Sequence, residues 1–168
     1  MKTQTRSLKP VADGISLMPS AISRGEALCE YCAAAPVCSL RSKERITCAG
    51  YVTPITFIPP HKGFVREFST FRLGHAWPKR LEAVGHKRVS LFDTKQKKTF
   101  GWAEVQRVVH GTVEEMLEHH AALNHMIIGE GVSEDKATER LTAIVKQIYG
   151  PHMLQMDRNA CVIYLRRV

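Results

Sequence analysis

Four cysteines, Cys29, Cys32, Cys38 and Cys48, fall within twenty residues, in the run CEYCAAAPVCSL and the RITCAGY that follows it. Their spacing, C-x2-C-x5-C-x9-C, constrains the amino-terminal part of the chain more than any other feature. A short segment rich in Ala, Ser and Cys buries too little apolar surface to fold alone, and it needs a staple. Four thiolates arriving from one loop satisfy either tetrahedral zinc or a four-iron cluster. A zinc ribbon brings two C-x2-C knuckles, whereas here only Cys29 and Cys32 form one. A redox disulfide between that pair lacks the strand-helix setting such chemistry uses. Four unligated thiols are the remaining alternative. Cys161 stands far away at the start of an apolar run and reads as a buried structural thiol.

The other 120 or so residues are ample for a core, roughly the size of one domain. The amino terminus, MKTQTRSLKPVADGISLMPSAISRG, carries charges and no continuous apolar run, and no stretch of the sequence is apolar over the length of a membrane span. The expected location is therefore the cytoplasm, with no membrane partner. In that reducing setting clustered cysteines point to metal before disulfides.

Charge is concentrated. Residues 62–110 hold eleven Lys and Arg against four Asp and Glu, while residues 111–168 hold six against eight. A basic face of this kind suits a polyanion, and nucleic acid is the expected partner; a solvated surface is the plain alternative.

The chain divides at about residue 54 into a cysteine-rich metal-binding module, 1–54, and a mixed domain, 55–168. PITFIPPHKG reads as a linker or an opening strand, because its prolines exclude helix. GFVREFSTFRLG alternates, with Arg66, Phe68, Thr70 and Arg72 on one face and Val65, Glu67, Ser69 and Phe71 on the other. HKRVSLFD and TFGWAEVQRVVHG flank TKQKK, a hairpin with a basic tip at Lys95, Lys97 and Lys98. GTVEEMLEHHAAL opens with Thr112 and Glu115 in capping-box spacing and carries the stripe Val113, Met116, Leu117, His120, which turns His120 inward. SEDKATERLTAIVKQIYGP starts at Ser133, carries Leu141, Ile144, Val145 and Ile148, and stops at Gly150-Pro151; CVIYLRRV is a closing strand. The adjacent Glu118, His119 and His120 point about 100° apart on a helix and do not face one ion.

The strand FGWAEVQRVV running directly into GTVEEMLEHHAALNHM, and the later helix ending VKQIYG before VIYLRRV, resemble an ASCH domain of the PUA-like superfamily over residues 64–168. Within it the likeness is to the small bacterial N4-acetylcytidine amidohydrolases. The resemblance implies an α+β fold, a PUA-like β-barrel with flanking helices. It also implies a hydroxyl nucleophile at Thr70 followed by Arg72, a lysine where this chain has Glu67, and a carboxylate where it has Asn124. An amide takes no proton as a general base, so two of three catalytic positions are replaced. A lysine from elsewhere, Lys79 or Lys87, is a substitute for one of them. CEYCAAAPVC in turn resembles the C-x2-C-x5-C part of the cluster loop in the endonuclease III family of DNA glycosylases, where the fourth ligand precedes the run; here Cys48 follows it. That likeness favours iron-sulfur over zinc.

Binding chemistry remains. Thr70, Arg72, His120 and Asn124 are expected to line a pocket that reads a base edge, Asn as donor and acceptor and Arg as a planar fork. Trp77 is a candidate for stacking a base beside Lys79 and Arg80. Each has a plain counterpart: a hydrogen-bonded core histidine, a tryptophan capping the barrel, an ordinary strand threonine. The expectation is a module that binds RNA, another nucleic acid or a modified nucleoside; the alternative is an amidohydrolase acting on N4-acetylcytidine-like substrates.

Overall fold

The computed structural model describes residues 52–74, 76–83, 88–152 and 154–168, with the side chains of residues 82 and 83 left aside; the four clustered cysteines lie outside these residues. Among the described residues are five strands and four helices, a mixed α+β arrangement. The strands are β1 (Thr53–Phe57), β2 (Glu67–Leu73), β3 (Arg88–Asp93), β4 (Lys98–Thr112) and β5 (Asn159–Arg167). The helices are α1 (Ala76–Ala83), α2 (Val113–His120), α3 (His125–Glu130) and α4 (Glu134–Tyr149).

The strands form one sheet in the order β1-β3-β4-β5-β2, antiparallel except for the β1–β3 pair. PITF is therefore a strand and not a linker. Alternation along β5 explains how the sheet is used on both sides. Ala160 and Val162 face one hydrophobic cluster, with Phe71, Leu73, Met116, Leu141 and Val145. Cys161, Ile163 and Leu165 face a second, with Ile55, Phe68, Val89 and Leu91. Both faces of the strand are thus removed from water, as its near-continuous apolar sequence requires.

The second face is the concave one. Arg72 on edge strand β2 donates from Nη2 to the Thr56 carbonyl of the opposite edge strand, β1, at 2.6 Å. One arginine side chain bridges the two edges only if the sheet curls toward the face that carries it. α1 lays Trp77 and Leu81 against this interior. Sequence pattern did not disclose α1, because Pro78 is a helix breaker in most positions. Here it falls in the first turn, where a missing N–H loses no intrahelical bond.

On the convex face α2 and α4 cover the half of the sheet nearest Val162 and Phe71. Thr112 and Glu115 make the expected capping box: the Thr112 hydroxyl accepts from the Glu115 N–H at 3.2 Å, and the Glu115 carboxylate accepts from the Thr112 N–H at 2.8 Å. The Thr112 N–H, and then the Thr112 side chain, hold the Glu115 carboxyl below its ordinary range. Because β4 feeds α2 with no loop between them, the cap fixes the junction. Thr112→Ala is expected to cost about 1 kcal/mol, with Thr112→Ser close to wild type; urea unfolding of the three proteins checks this, and equal midpoints would contradict it. In α4 the buried stripe passes from Leu141, Ile144 and Val145 to Tyr149, leaving Ile148 55% exposed, so the last turn departs from the expected pattern.

Candidate functional site

The residues singled out in the sequence are divided between the two faces of the sheet. Thr70 and Arg72 point into the concave side, opposite Ile163 and Cys161 of β5. Thr70 is 1% exposed. The Arg72 guanidinium lies 5.0 Å from the centroid of Phe57, and its Nε is buried without a partner. Beside it stands a cluster of rings. His125, the first residue of α3, stacks on Phe64 with centroids 4.6 Å apart and meets Phe57 edge-on. His61 stacks on Phe100 at 3.9 Å, and its Nε2–H donates to the Asp93 carboxylate at 2.6 Å. Asp93 also accepts from the N–H groups of Lys95 and Gln96, each at 2.7 Å. The Gln96 amide, the His61 ring and the Lys95 amide together hold its carboxyl below the usual carboxylate range. Cys161 is buried as expected, and burial pushes its thiol up to about 11.

Asn124 stands at the rim of β2, in an isolated bridge with Ser69, and is 2% exposed. Its side-chain oxygen accepts from the Met126 N–H at 3.0 Å and caps α3. That accounts for an amide at a place where the amidohydrolase likeness implies a carboxylate: Asn is among the best N-caps. Glu67 stands on the exposed edge and accepts from Arg166 at 3.1 Å. Trp77 is 3% exposed in the concave core, with Arg80 over its ring at 5.1 Å. Its ring is packed in the core of the sheet's concave side. Lys79 is exposed.

His120 is on the convex side. Its Nδ1 meets the Tyr164 hydroxyl at 2.8 Å, and the two rings are edge-to-face. Burial, then the charge of Arg107, then that of His119, hold the His120 ring below its ordinary pKa. It is therefore separated by the sheet from Thr70 and Arg72, and the four residues expected to share one pocket do not do so. Instead His120 lines an open cleft of about 280 Å³ with Arg107, His119, Leu123, Glu134 and Tyr164. Arg107 lies over the Tyr164 ring at 4.1 Å.

A β-bulge puts it there. β4 and β5 pair as Val105↔Leu165 and then Arg107↔Tyr164, so Gln106 is the extra residue. Without it Arg107 shares the parity of Ala103 and Val105 and turns inward. With it the side chain turns outward onto Tyr164, one of the ways bulges re-aim a residue. Sequence alternation alone misassigns Arg107 for this reason. The same convex face carries a second pair that sequence reading missed, Arg88 over Trp102 at 5.1 Å. Lys95, Lys97 and Lys98 are exposed at the β3–β4 tip as expected, and Lys97 takes a left-handed backbone, φ 56.

Among the described residues, no group of three or more His, Cys, Asp or Glu is placed to hold a metal ion, and no helix is long and apolar enough to cross a membrane. No protein-family model matches the sequence, and no curated protein matches it. Among solved structures, protein EF3133 from Enterococcus faecalis V583, described as DUF984, aligns over 61% of this chain and 61% of its own, with 14% identity and a TM-score of 0.38. The match spans about three fifths of that protein's length, and at this level of likeness no conclusion is taken from it.

Proposed function

We propose that the chain is an RNA- or nucleobase-binding module with a PUA-like, ASCH-type domain over residues 55–168 and a four-cysteine metal centre in residues 1–54. The observation that carries the proposal is the convex cleft. A planar cation, Arg107, is held over an aromatic ring, Tyr164, beside the His120 ring, all in an open groove. A base stacks on such a platform, on either the ring or the guanidinium plane, while ring nitrogens and the Tyr hydroxyl offer hydrogen bonds to its edge. Lys95, Lys97 and Lys98 supply phosphate contacts that position the strand and carry no sequence information. Arg72 and Asn124, proposed from sequence as base readers, are engaged with Thr56 and with the α3 cap respectively. Base contact therefore falls to the convex cleft. Titration of a labelled single-stranded RNA with the full chain tests the proposal.

Among the described residues, which do not include Lys87, the amidohydrolase alternative finds no supporting geometry. Thr70 is buried, Glu67 is paired at the edge, and Asn124 caps a helix. Acetate release from N4-acetylcytidine that disappears in Thr70→Ala would reinstate it.

The cysteines complete the proposal: Cys29, Cys32, Cys38 and Cys48 share an iron-sulfur cluster or a zinc ion. Because the binding free energy of a small metal module is its folding free energy, Cys38→Ser is expected to lose the metal and unfold residues 1–54 while the remaining domain stays folded. Cys161→Ser, in the core of the sheet, is expected to keep the metal. Metal analysis after anaerobic purification, with an absorption spectrum, reads both variants and separates iron from zinc; equal metal content in wild type and Cys38→Ser would contradict the proposal.

A further inference from the structure

We infer that Trp102 is a second base-stacking station, and that the ligand of the convex face is single-stranded RNA lying along β4. The inference rests on the RNA-binding proposal above and specifies its substrate class.

Trp102 faces outward. Its neighbour Ala103 is 0% exposed in the concave core, so alternation turns the indole to the convex side, and α2 and α4 cover the other half of that side. Arg88, on the adjacent strand β3, lies over the ring. The indole is half-buried, on a face it shares with Ser90, Glu104, Arg88 and Arg166. A partly open tryptophan under an arginine repeats the chemistry of Tyr164 under Arg107.

The two stations share a line. The Val168 N–H donates to the Trp102 carbonyl, which sets Trp102 opposite Val168, while Arg107 is opposite Tyr164. Four residue steps, from Val168 back to Tyr164, separate them, about 13 Å at roughly 3.3 Å per residue. Continuing along β4 in the other direction leads to Lys98 and the exposed tip lysines. From tip to cleft the order is therefore cation, stacking ring, stacking ring; with the extra residues Phe100 and Gln106 taken out, seven ladder steps separate Lys98 from Arg107, about 23 Å.

Of the acids on this face, Glu67 is paired with Arg166, Glu104 stands across the ladder from both Arg88 and Arg166, and Glu134 lines the cleft with Arg107. The middle of the face is thus nearly neutral and the tip is cationic. That distribution suits bases laid against the sheet and phosphates held at the end. A duplex keeps its bases inside and cannot stack them on two separate rings, whereas a single strand can.

Trp77 and Trp102 are the two tryptophans in the sequence. Trp77 is buried at 3% exposure, so emission quenched by a stacked base reports Trp102. The experiment titrates the full chain with oligouridylate of about twelve nucleotides and with an RNA duplex of similar length, following anisotropy of labelled RNA and tryptophan emission. Wild type is expected to bind the single strand more tightly than the duplex, with quenching. Trp102→Ala is expected to weaken single-strand binding about 5- to 100-fold. Trp102→Phe is expected to keep most of the affinity and lose the quenching; it also serves if the alanine variant does not fold. Wild type that binds oligouridylate without quenching, or binds the duplex equally well, or binds no better than Trp102→Ala, would overturn the second station while leaving RNA binding standing. Failure of wild type to bind either RNA would overturn both.

Discussion

Acidification from pH 6.5 to pH 4.5 is expected to remove about 2 kcal/mol of folding stability through His125 alone, at up to roughly 1.4 kcal/mol per pH unit for one proton. The ring is 8% exposed among Phe57, Phe64 and Phe68. Burial first, then the charge of Arg72 and that of His61, depress its pKa from 6.5 to about 3, against a weak opposing contact with the Lys62 carbonyl at 3.4 Å. The sign follows from proton counting: below pH 6.5 the unfolded chain holds a proton on this ring and the folded one does not. Stability therefore falls with pH across the window from 6.5 to 3. His120, also depressed, acts in the same direction. The lowered carboxylates Asp93, Glu115 and Glu130 contribute stability that is lost only as pH falls below their unfolded values, 3.8 for Asp and 4.5 for Glu. Between pH 6.5 and 4.5 the histidines dominate. Urea unfolding at pH 7, 5.5 and 4.5 should show a steep loss in wild type and a shallow one in His125→Phe, which keeps the ring and removes the proton. Equal slopes in the two proteins would show that His125 is not held neutral.

The second large effect is on binding. Arg107→Ala removes the planar cation from Tyr164 and is expected to weaken RNA binding about 10- to 100-fold, the range found for losing a stacked base platform with its cation–π contact. Arg107→Lys restores the charge without the plane, so most of the loss should persist while salt dependence returns to that of wild type. Full recovery in Arg107→Lys would mean that Arg107 acts as a phosphate contact and not as a stacking surface. Because Arg107 is exposed and outside both core clusters, neither variant is expected to disturb folding.

The elements with strong periodicity were legible in the sequence. The β3–β4 hairpin, the capping box at Thr112, the α4 stripe through Leu141 and Val145, and the alternation of Phe68, Thr70 and Arg72 all stand where their patterns place them. Three kinds of feature were not. α1 was hidden because a proline three residues into a helix looks like a breaker unless the helix start is known. The joint pocket of Arg72 and His120 was expected because strand alternation and helix spacing say which residues share an element's face, but not which face of the sheet a helix covers. Arg107 and Tyr164 were missed because the extra residue Gln106 reverses the parity of everything after it, and a bulge leaves no mark in a run such as AEVQRVV. Asn124 shows the reverse case: the sequence departure from the amidohydrolase pattern was visible, and its physical reason, capping α3, came from the backbone.

The central claim, RNA held by a cationic tip and a stacking face, is tested most directly by the dependence of oligouridylate affinity on salt. Each phosphate contact on a single strand contributes a slope of about 0.7 in log K against log salt. Wild type is expected to show salt-dependent binding, and the combined Lys95→Ala, Lys97→Ala, Lys98→Ala variant a slope shallower by about 2, with weaker binding to all RNAs. Wild-type protein, with its metal bound, that shows no salt-dependent binding to single-stranded or structured RNA would contradict the claim and leave the basic face as a solvated surface.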